Sequence, residues 1–207
     1  MKVKTLFIAV IIISAICSCK KDSDSLYTDD FIIAGQTNDN RTTYYDFNPD
    51  INCTLSDPWE NTDTVIHLDL NFDGITDFDI NGSMLHPSAL GGDWETVTIK
   101  PLNDNEICID LNSGWLDTIP QHDTINQNCT WSNSEVLIYS YDWVMGEPAV
   151  TSGLWANVTT ENKYFICVMI LKNDIPFYGW IGMKRDVSSW SFSFMITNFC
   201  ILKRYTL

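Results

Sequence analysis

A short acidic segment between residues 69 and 77 has the residue types and the spacing of a loop that binds a hard cation. Oxygen-bearing side chains occupy its first, third, fifth and ninth positions, and a glycine occupies the sixth. That spacing lets a tight turn wrap carboxylate and amide oxygens round Ca²⁺, with a backbone carbonyl as a further ligand. The predicted ligands are Asp69, Asn71, Asp73 and Asp77 through their side chains and Ile75 through its carbonyl.

The residues between these ligands indicate how the loop is built. Leu70 and Phe72 alternate with the oxygen-bearing residues, so an extended chain turns them to the opposite side. Gly74 supplies the backbone turn. An EF-hand would place a glutamate at the twelfth position, but that position is Ile80, and the chain from Asp77 onward alternates like a strand. We therefore predict a strand, loop, strand hairpin that holds a structural Ca²⁺. An ordinary Asp-Gly hairpin turn with solvated acids is the alternative.

The loop and several shorter motifs resemble sequences of secreted bacterial β-domains. The loop itself is similar to the DxDxDGxxD loops of integrin-type propeller blades. The flanking motifs resemble, in the same order, those of an uncharacterised family of secreted bacterial β-proteins with a DxNxDGxxDF loop. These motifs are Asp46-Phe47-Asn48-Pro49-Asp50, Ser152-Gly153-Leu154-Trp155, Tyr164-Phe165-Ile166 and Phe177-Tyr178-Gly179-Trp180-Ile181. The resemblance, which covers Thr43 to Trp180, implies a β-domain with a bound metal and no assigned activity. The chain departs from the family in its cysteines and at Ile166-Cys167-Val168, where the family tends to have glycine.

The first 26 residues predict export and lipid attachment. Lys2 and Lys4 precede an apolar run, residues 5–16, that is too short to span a bilayer and has the character of a secretory signal. Ile16-Cys17-Ser18-Cys19 resembles a bacterial lipobox, which implies a signal peptide at residues 1–18 and lipidation of Cys19. Residues 19–26 then form an acidic tether similar to that of Bacteroidota-type surface lipoproteins. The expected location is the bacterial outer membrane, with exposure at the cell surface; an ordinary secreted protein is the alternative.

The charge of the chain limits its partners. It carries 12 basic and 27 acidic residues, a net charge of −15. Removal of residues 1–18 takes two lysines from the 12, so the mature chain carries −17. Such a field repels phosphates, which argues against a nucleic-acid partner. The expected partners are the membrane, through the N-terminal lipid, and a glycan or protein ligand.

The remaining sequence, residues 27–207, predicts a single all-β domain. Its apolar segments are short, alternate with polar residues and are separated by Asn, Asp, Gly and Pro, which favours an antiparallel β-sandwich, with an open barrel as the alternative. The predicted strands cover residues 31–34, 42–47, 64–70, 77–82, 94–100, 106–111, 135–143, 164–171, 177–183 and 190–202. We expect the last of these strands, residues 190–202, to be bent or split. Its alternation places one set of apolar side chains on a buried face, namely Trp190, Phe192, Phe194 and Ile196.

Cysteines in an exported chain predict disulfide bonds. Beyond Cys19 there are five, namely Cys53, Cys108, Cys129, Cys167 and Cys200, so at most two bonds form, and the pairing stays open. Cys167 and Cys200 lie in apolar runs, so the alternative to a disulfide bond for these two residues is a buried free thiol. One such bond is expected to hold the long polar stretch of residues 112–134. A zinc site is disfavoured, because no CxxC is present and the three histidines are scattered.

No motif for catalysis is present. The chain lacks a GxSxG elbow, an HExxH sequence and a phosphate-binding glycine loop. We therefore expect a non-catalytic binding, adhesion or structural role. The alternative is a glycan-processing accessory protein or a hydrolase that uses a carboxylate pair, with candidates Glu60, Glu95, Glu106, Glu135 and Glu147. Tryptophans in or beside loops either stack on a sugar or fill the core; these are Trp59, Trp94, Trp115, Trp131 and Trp155.

Overall fold

The structure is a computed structural model that describes residues 31–54, 61–86, 91–157, 164–186 and 193–203. All of them belong to one unit, Phe31–Leu207. The strands, in chain order, are β1 (Ile32–Ile33), β2 (Thr42–Thr54), β3 (Thr62–Leu68), β4 (Phe78–Leu85), β5 (Gly92–Pro101), β6 (Glu106–Cys108), β7 (Ile119–Pro120), β8 (Thr124–Ile125), β9 (Trp131–Ser132), β10 (Val136–Val144), β11 (Val150–Ser152), β12 (Tyr164–Lys172), β13 (Ile175–Asp186) and β14 (Ser193–Leu202). A short 3₁₀ helix, Leu154–Asn157, follows β11.

Two antiparallel sheets pack face to face. One has five strands in the order β11-β10-β5-β4-β3, and the other has seven, in the order β2-β14-β13-β12-β6-β9 with β7 also paired to β12. A third, two-stranded sheet joins β1 to β8. The predicted all-β antiparallel sandwich is confirmed. Within the described ranges, no helix is long and apolar enough to cross a membrane.

The strand β12 shows why the seven-stranded sheet is buried on both faces. Ile166, Val168 and Ile170 enter the core between the two large sheets. Their neighbours Phe165, Cys167 and Met169 enter a second core on the outer face of the sheet. Since successive side chains of a strand point to opposite faces, a strand that is covered on both sides reads as a continuous apolar run. This is the reason for the unbroken apolar sequence of β12.

The long stretch 112–134 forms much of the cover over this second core. It contains β7, β8 and β9, and its residues Ile119, Ile125 and Trp131 pack onto the outer face. Backbone pairing to β12, β1 and β6 therefore holds the stretch in place. The prediction that a disulfide bond holds it is wrong.

The four described cysteine side chains are free thiols. Cys108, Cys167 and Cys200 are buried in the second core, and Cys129 is half-buried at its edge. The disulfide prediction is therefore wrong for these four residues, whereas the alternative of buried thiols for Cys167 and Cys200 is confirmed. Alternation along β12 and β14 turns both thiols into apolar surroundings, where a free cysteine behaves as a small hydrophobe. The side chain of Cys53 lies outside the described residues.

The last strand is bent as expected. Phe194 and Ile196 are fully buried in the core between the sheets, and a register shift lies between Ile196 and Asn198. The extra residue moves the following Phe199 to the side that Phe194 occupies. Trp190, Phe192, the predicted signal peptide and the tether lie outside the described residues.

Candidate metal loop

The acidic loop connects β3 to β4, which pair as an antiparallel hairpin from Thr62↔Met84 to Leu68↔Phe78. At the base of the loop, the backbone N–H of Asp77 donates to the carbonyl of Leu68 at 2.7 Å. The strand, loop, strand arrangement expected from the sequence is therefore present. The loop lies at one end of the five-stranded sheet, where the pairing of β3 and β4 stops.

Three of the predicted ligands bend back onto the backbone of the loop. Asp69 accepts the N–H of Gly74 at 2.8 Å, Asn71 accepts that of Asp73 at 3.0 Å, and Asp73 accepts that of Ile75 at 3.0 Å. The contacts of Asn71 and Asp73 are turns in which a side-chain oxygen takes the place of a backbone carbonyl, whereas that of Asp69 spans the loop. Gly74 has a φ of +84°, which glycine adopts without strain. The loop thus carries its oxygens on one side by local hydrogen bonding.

Asp77 closes the loop from below and is 4% exposed. Its Oδ2 accepts the N–H of Leu70 at 2.8 Å, and its Oδ1 accepts the side-chain amides of Asn71 at 3.3 Å and Asn105 at 3.1 Å. Burial raises the pKa of this carboxyl, and the charges of Asp69 and Asp73 raise it further, although the hydrogen bonds oppose that shift. Three carboxylates therefore repel one another across the loop.

The apolar residues of the loop face the other way, as their alternation predicts. Leu70 is buried in the core between the sheets. Phe72 is half-exposed, but its ring packs against Tyr45 and Phe199 at centroid distances of 5.3 and 5.6 Å. Since Tyr45 and Phe199 belong to β2 and β14, Phe72 fixes the loop against the opposite sheet. Ile75, after the glycine, presents its side chain to solvent.

Asn105 is a structural partner of the loop that the sequence did not reveal. It is 2% exposed, donates to the backbone carbonyl of Asp77 at 3.3 Å, and accepts the N–H of Leu171 at 3.0 Å. One amide side chain therefore links the loop to β12 in the other sheet. In the sequence it ends the polar turn after Leu102, and nothing distinguishes it there from Asn103 and Asp104.

The residues present fit a hard cation in chemistry, because they supply three carboxylates, an amide oxygen and a backbone carbonyl. In the described part of the chain, no group of three or more His, Cys, Asp or Glu side chains is gathered closely enough to hold a metal ion. The side chains of Asp69 and Asp73 would therefore have to move inward to share a cation with Asp77.

The glutamates proposed as a catalytic pair do not meet at either of two cavities in the described part of the chain. These two cavities, of about 520 and 330 Å³, are lined by none of Glu95, Glu106, Glu135 and Glu147, and Glu60 lies outside the described residues. Glu135 accepts hydrogen bonds from Thr98 at 2.5 Å and Asn81 at 3.2 Å on the exposed face of the five-stranded sheet. Burial raises the pKa of Glu106.

Two of the loop tryptophans fill the interior. Trp155 is 2% exposed, and its indole donates to the carbonyl of Asp117 at 3.2 Å. Trp131 is half-buried, stacks on Tyr178 at a centroid distance of 5.6 Å and donates to the carbonyl of Asn126 at 3.1 Å. Trp94 and Trp115 are half-buried, and Trp59 lies outside the described residues. Stacking on a sugar is therefore not the role of Trp155.

Comparison of the chain with protein-family models, with curated proteins and with solved structures returns no match. The predicted lipidation site, Cys19, lies outside the described residues.

Proposed function

We propose that this chain is a lipid-anchored protein of the bacterial envelope whose β-sandwich is stabilised by a structural Ca²⁺ and which has a non-catalytic binding or adhesion role. The observation that carries the calcium part is the arrangement of the loop. Asp69, Asn71 and Asp73 curl onto its backbone above the buried carboxylate of Asp77. The envelope part rests on the lipobox resemblance at Cys19 and on the acidic tether.

In this proposal the cation relieves electrostatic repulsion and desolvation that destabilise the loop. Asp69, Asp73 and Asp77 repel one another, and Asp77 is also desolvated. A divalent cation offsets both effects and holds the loop in the conformation in which Asp77 contacts Asn105 and Phe72 packs against the opposite sheet. Because the loop contacts both sheets, an ion there stabilises the whole sandwich rather than the hairpin alone.

The test is thermal unfolding of the chain from residue 27, which retains both described cores, in calcium and in chelator. A ligand at about 100 times its Kd stabilises the folded state by about 2.7 kcal/mol. For a domain of this size, that corresponds to a rise in Tm of roughly 5–10 °C. We expect this rise in the wild type and in Asp63→Asn, which removes an exposed carboxylate from β3.

Asp73→Asn is the informative variant, because asparagine retains the oxygen that accepts the N–H of Ile75 but removes the charge. We expect it to lose most of the response to calcium and to be at least as stable as the wild type in chelator, since repulsion is relieved. Equal Tm values in calcium and chelator for the wild type, or an undiminished response in Asp73→Asn, would reject the calcium proposal.

A glycan-processing or hydrolytic role is the second candidate, and one observation favours it. Two carboxylates, Asp46 and Asp50, line a cavity of about 520 Å³ on the outer face of the seven-stranded sheet. They are not among the glutamates that the sequence suggested. Release of monosaccharide from a disaccharide by the purified chain distinguishes this candidate from simple binding.

A further inference from the structure

The cavity on the outer face of the seven-stranded sheet lies where the cover over the second core ends. Residues of β2, β13 and β14 form one side, and Gly35, Thr37 and Gln121 of the cover form the other. Its volume of about 520 Å³ lies within the range of small-molecule sites, roughly 300–1,000 Å³. The side chains that carry the following argument are Tyr44, Asp46, Asp50, Trp180, Lys184 and Asn198.

The cavity forms because two neighbouring strand pairs lose their regular register at the same place. Between β2 and β14, Asp46 pairs with Asn198 and Ile51 pairs with Ile196. Residues 47–50 therefore stand opposite the single residue 197. Between β13 and β14 the register also shifts, from Gly182 to Met183. Such irregularities redirect side chains and are common beside functional sites. Here they bring Asp46 and Asp50 to the rim of the cavity.

Two residues that line this cavity each have a buried side-chain polar atom without a hydrogen-bond partner. These atoms are Nε1 of Trp180 and Oδ1 of Asn198, and they are the only such side-chain atoms found among the described residues. One is a donor and the other an acceptor. Trp180 is fully buried, and both residues line the cavity. Both atoms are shielded from solvent, so a ligand in the cavity would reach them only after a small shift of the wall. Because buried polar groups are rarely left unpaired, an unpaired donor and an unpaired acceptor in the wall of one cavity favour a ligand that carries both functions.

Tyr44 and Asp46 extend this polar wall. The amide nitrogen of Asn198 donates to the hydroxyl of Tyr44 at 3.3 Å, and that hydroxyl donates to Asp46 Oδ1 at 3.3 Å. Both distances are long for such bonds, so hydroxyl groups of a ligand can compete for the same atoms. Burial raises the pKa of Tyr44, so its hydroxyl keeps its proton at neutral pH. The rings of Tyr44 and Trp180 lie 6.1 Å apart.

Gly182 leaves the space that the side-chain amide of Asn198 occupies. A Cβ placed on Gly182 would lie 2.1 Å from Oδ1 of Asn198 and 3.0 Å from Oγ1 of Thr197. Any other residue at this position would displace the asparagine amide. The glycine therefore allows the polar wall to form, as is usual where another group approaches a strand closely.

We propose that this cavity binds a neutral saccharide. Hydroxyl groups both donate and accept hydrogen bonds, which matches the unpaired indole N–H and amide oxygen. A sugar also has apolar and polar faces, and these suit aromatic rings that lie beside carboxylates. Two carboxylates against one lysine at the rim disfavour an anionic ligand. This inference rests on the binding role proposed above and gives it a location. It depends on neither calcium nor the lipid anchor.

The test uses ¹H–¹⁵N spectra of the indole groups, because Trp180 supplies its own reporter. The chain from residue 27 is titrated in calcium buffer with glucose, galactose, mannose, N-acetylglucosamine, maltose, cellobiose and N,N′-diacetylchitobiose. Trp180→Phe assigns the resonance. We expect at least one sugar to shift the indole resonance of Trp180 in a saturable manner. Tyr44→Phe and Asp46→Ala should each weaken the apparent affinity by about tenfold, the effect of losing one hydrogen bond.

Matched controls keep the test independent of folding. Tyr45→Phe changes the neighbouring tyrosine, which packs against Phe72 on the opposite side of β2, and Asp63→Asn changes a distant exposed acid. Both should bind like the wild type. The proposal is overturned if no sugar shifts the Trp180 resonance, or if the shift is equal in Tyr44→Phe and Tyr45→Phe. Hydrolysis of a disaccharide would support the ligand class but overturn the non-catalytic role. Sugar binding without a response of Tm to calcium would reject only the calcium proposal.

Discussion

At the residue scale, a hydrogen bond between Cys108 and Cys129 gives these two neighbouring thiols different pKa values. The S–H of Cys108 donates to the sulfur of Cys129, which lowers the pKa of Cys129 from 9.0 to about 7. The same bond, followed by burial, raises the pKa of Cys108. Burial is the main cause that raises the pKa of Cys167 and of Cys200, and the charges of nearby acidic groups add to it. Of the four described thiols, Cys129 is therefore the one that ionises near neutral pH.

We predict that iodoacetamide alkylates Cys129 faster than Cys108, Cys167 or Cys200, at a rate that rises from pH 6 to pH 8 and then levels off. A lowered pKa places the thiolate at lower pH, so the rate follows ionisation through about 7 rather than about 9. The measurement is timed alkylation followed by mass spectrometry of peptides.

Two substitutions at Cys108 test the cause. Cys108→Ala removes the donor, and the rate at Cys129 at pH 7 should fall roughly fivefold to tenfold, since the gain in thiolate is partly offset by its lower nucleophilicity. Cys108→Ser retains a donor and should preserve most of the rate. If alanine and serine have the same effect, the hydrogen bond is not what activates Cys129.

At the element scale, the loop after β3 is connected to β12 through one side chain. Asn105 bonds to Asp77 in one sheet and to the N–H of Leu171 in the other. Phe72 adds a second link, since its ring contacts Tyr45 and Phe199. The two sheets are thus joined at the end of the sandwich as well as through the core. A change in this loop is expected to alter the stability of both sheets together.

We predict that Asn105→Ala lowers the free energy of unfolding by about 2–4 kcal/mol, because it leaves the N–H of Leu171 and one oxygen of Asp77 buried without that partner. Chemical denaturation with urea, followed by circular dichroism, measures the change. Asn112→Ala is the matched control, and since Asn112 is exposed it should change stability by less than about 0.5 kcal/mol. A loss in Asn105→Ala no larger than in the control would show that the link contributes little.

At the scale of the whole molecule, an acidic β-domain follows a segment that predicts lipid attachment. The mature chain would carry a net charge of −17, which favours solubility and keeps the domain away from anionic membrane surfaces. Attachment to a membrane would therefore depend on the lipid at Cys19 and not on the surface of the domain. The tether of residues 19–26 would provide the distance between the two.

We predict that the full chain, produced in a bacterium that processes lipoproteins, partitions into the detergent phase of Triton X-114 and incorporates labelled palmitate. Cys19→Ala should abolish both, because acyl chains supply the membrane affinity. Cys17→Ala is the matched control and should retain both. Palmitate incorporation that survives in Cys19→Ala, or that is lost in Cys17→Ala, would contradict the assignment of Cys19.

The sequence alone determined the features that depend on local periodicity. The alternation along the last strand predicted that Phe194 and Ile196 share a buried face, and both are buried. The spacing of oxygens around Gly74 predicted a hairpin loop with Leu70 and Phe72 on its other side, and the structure has that arrangement. Such features follow from the geometry of a strand and a turn, which needs only neighbouring residues.

The tertiary structure decided everything that depends on residues far apart in the chain. Asn105 meets Asp77, and Asn198 meets Tyr44 across 154 positions, only because strands pair in a particular order and register. The polar pair Thr197 and Asn198 in an otherwise apolar strand was a signal of the cavity, but its partners were not visible in the sequence. The disulfide prediction failed for the same reason, since the spacing of cysteines along the chain does not state which thiols the folded sheets bring within bonding distance. Residue types fix which contacts are favourable, and the topology of the sheets fixes which of them form.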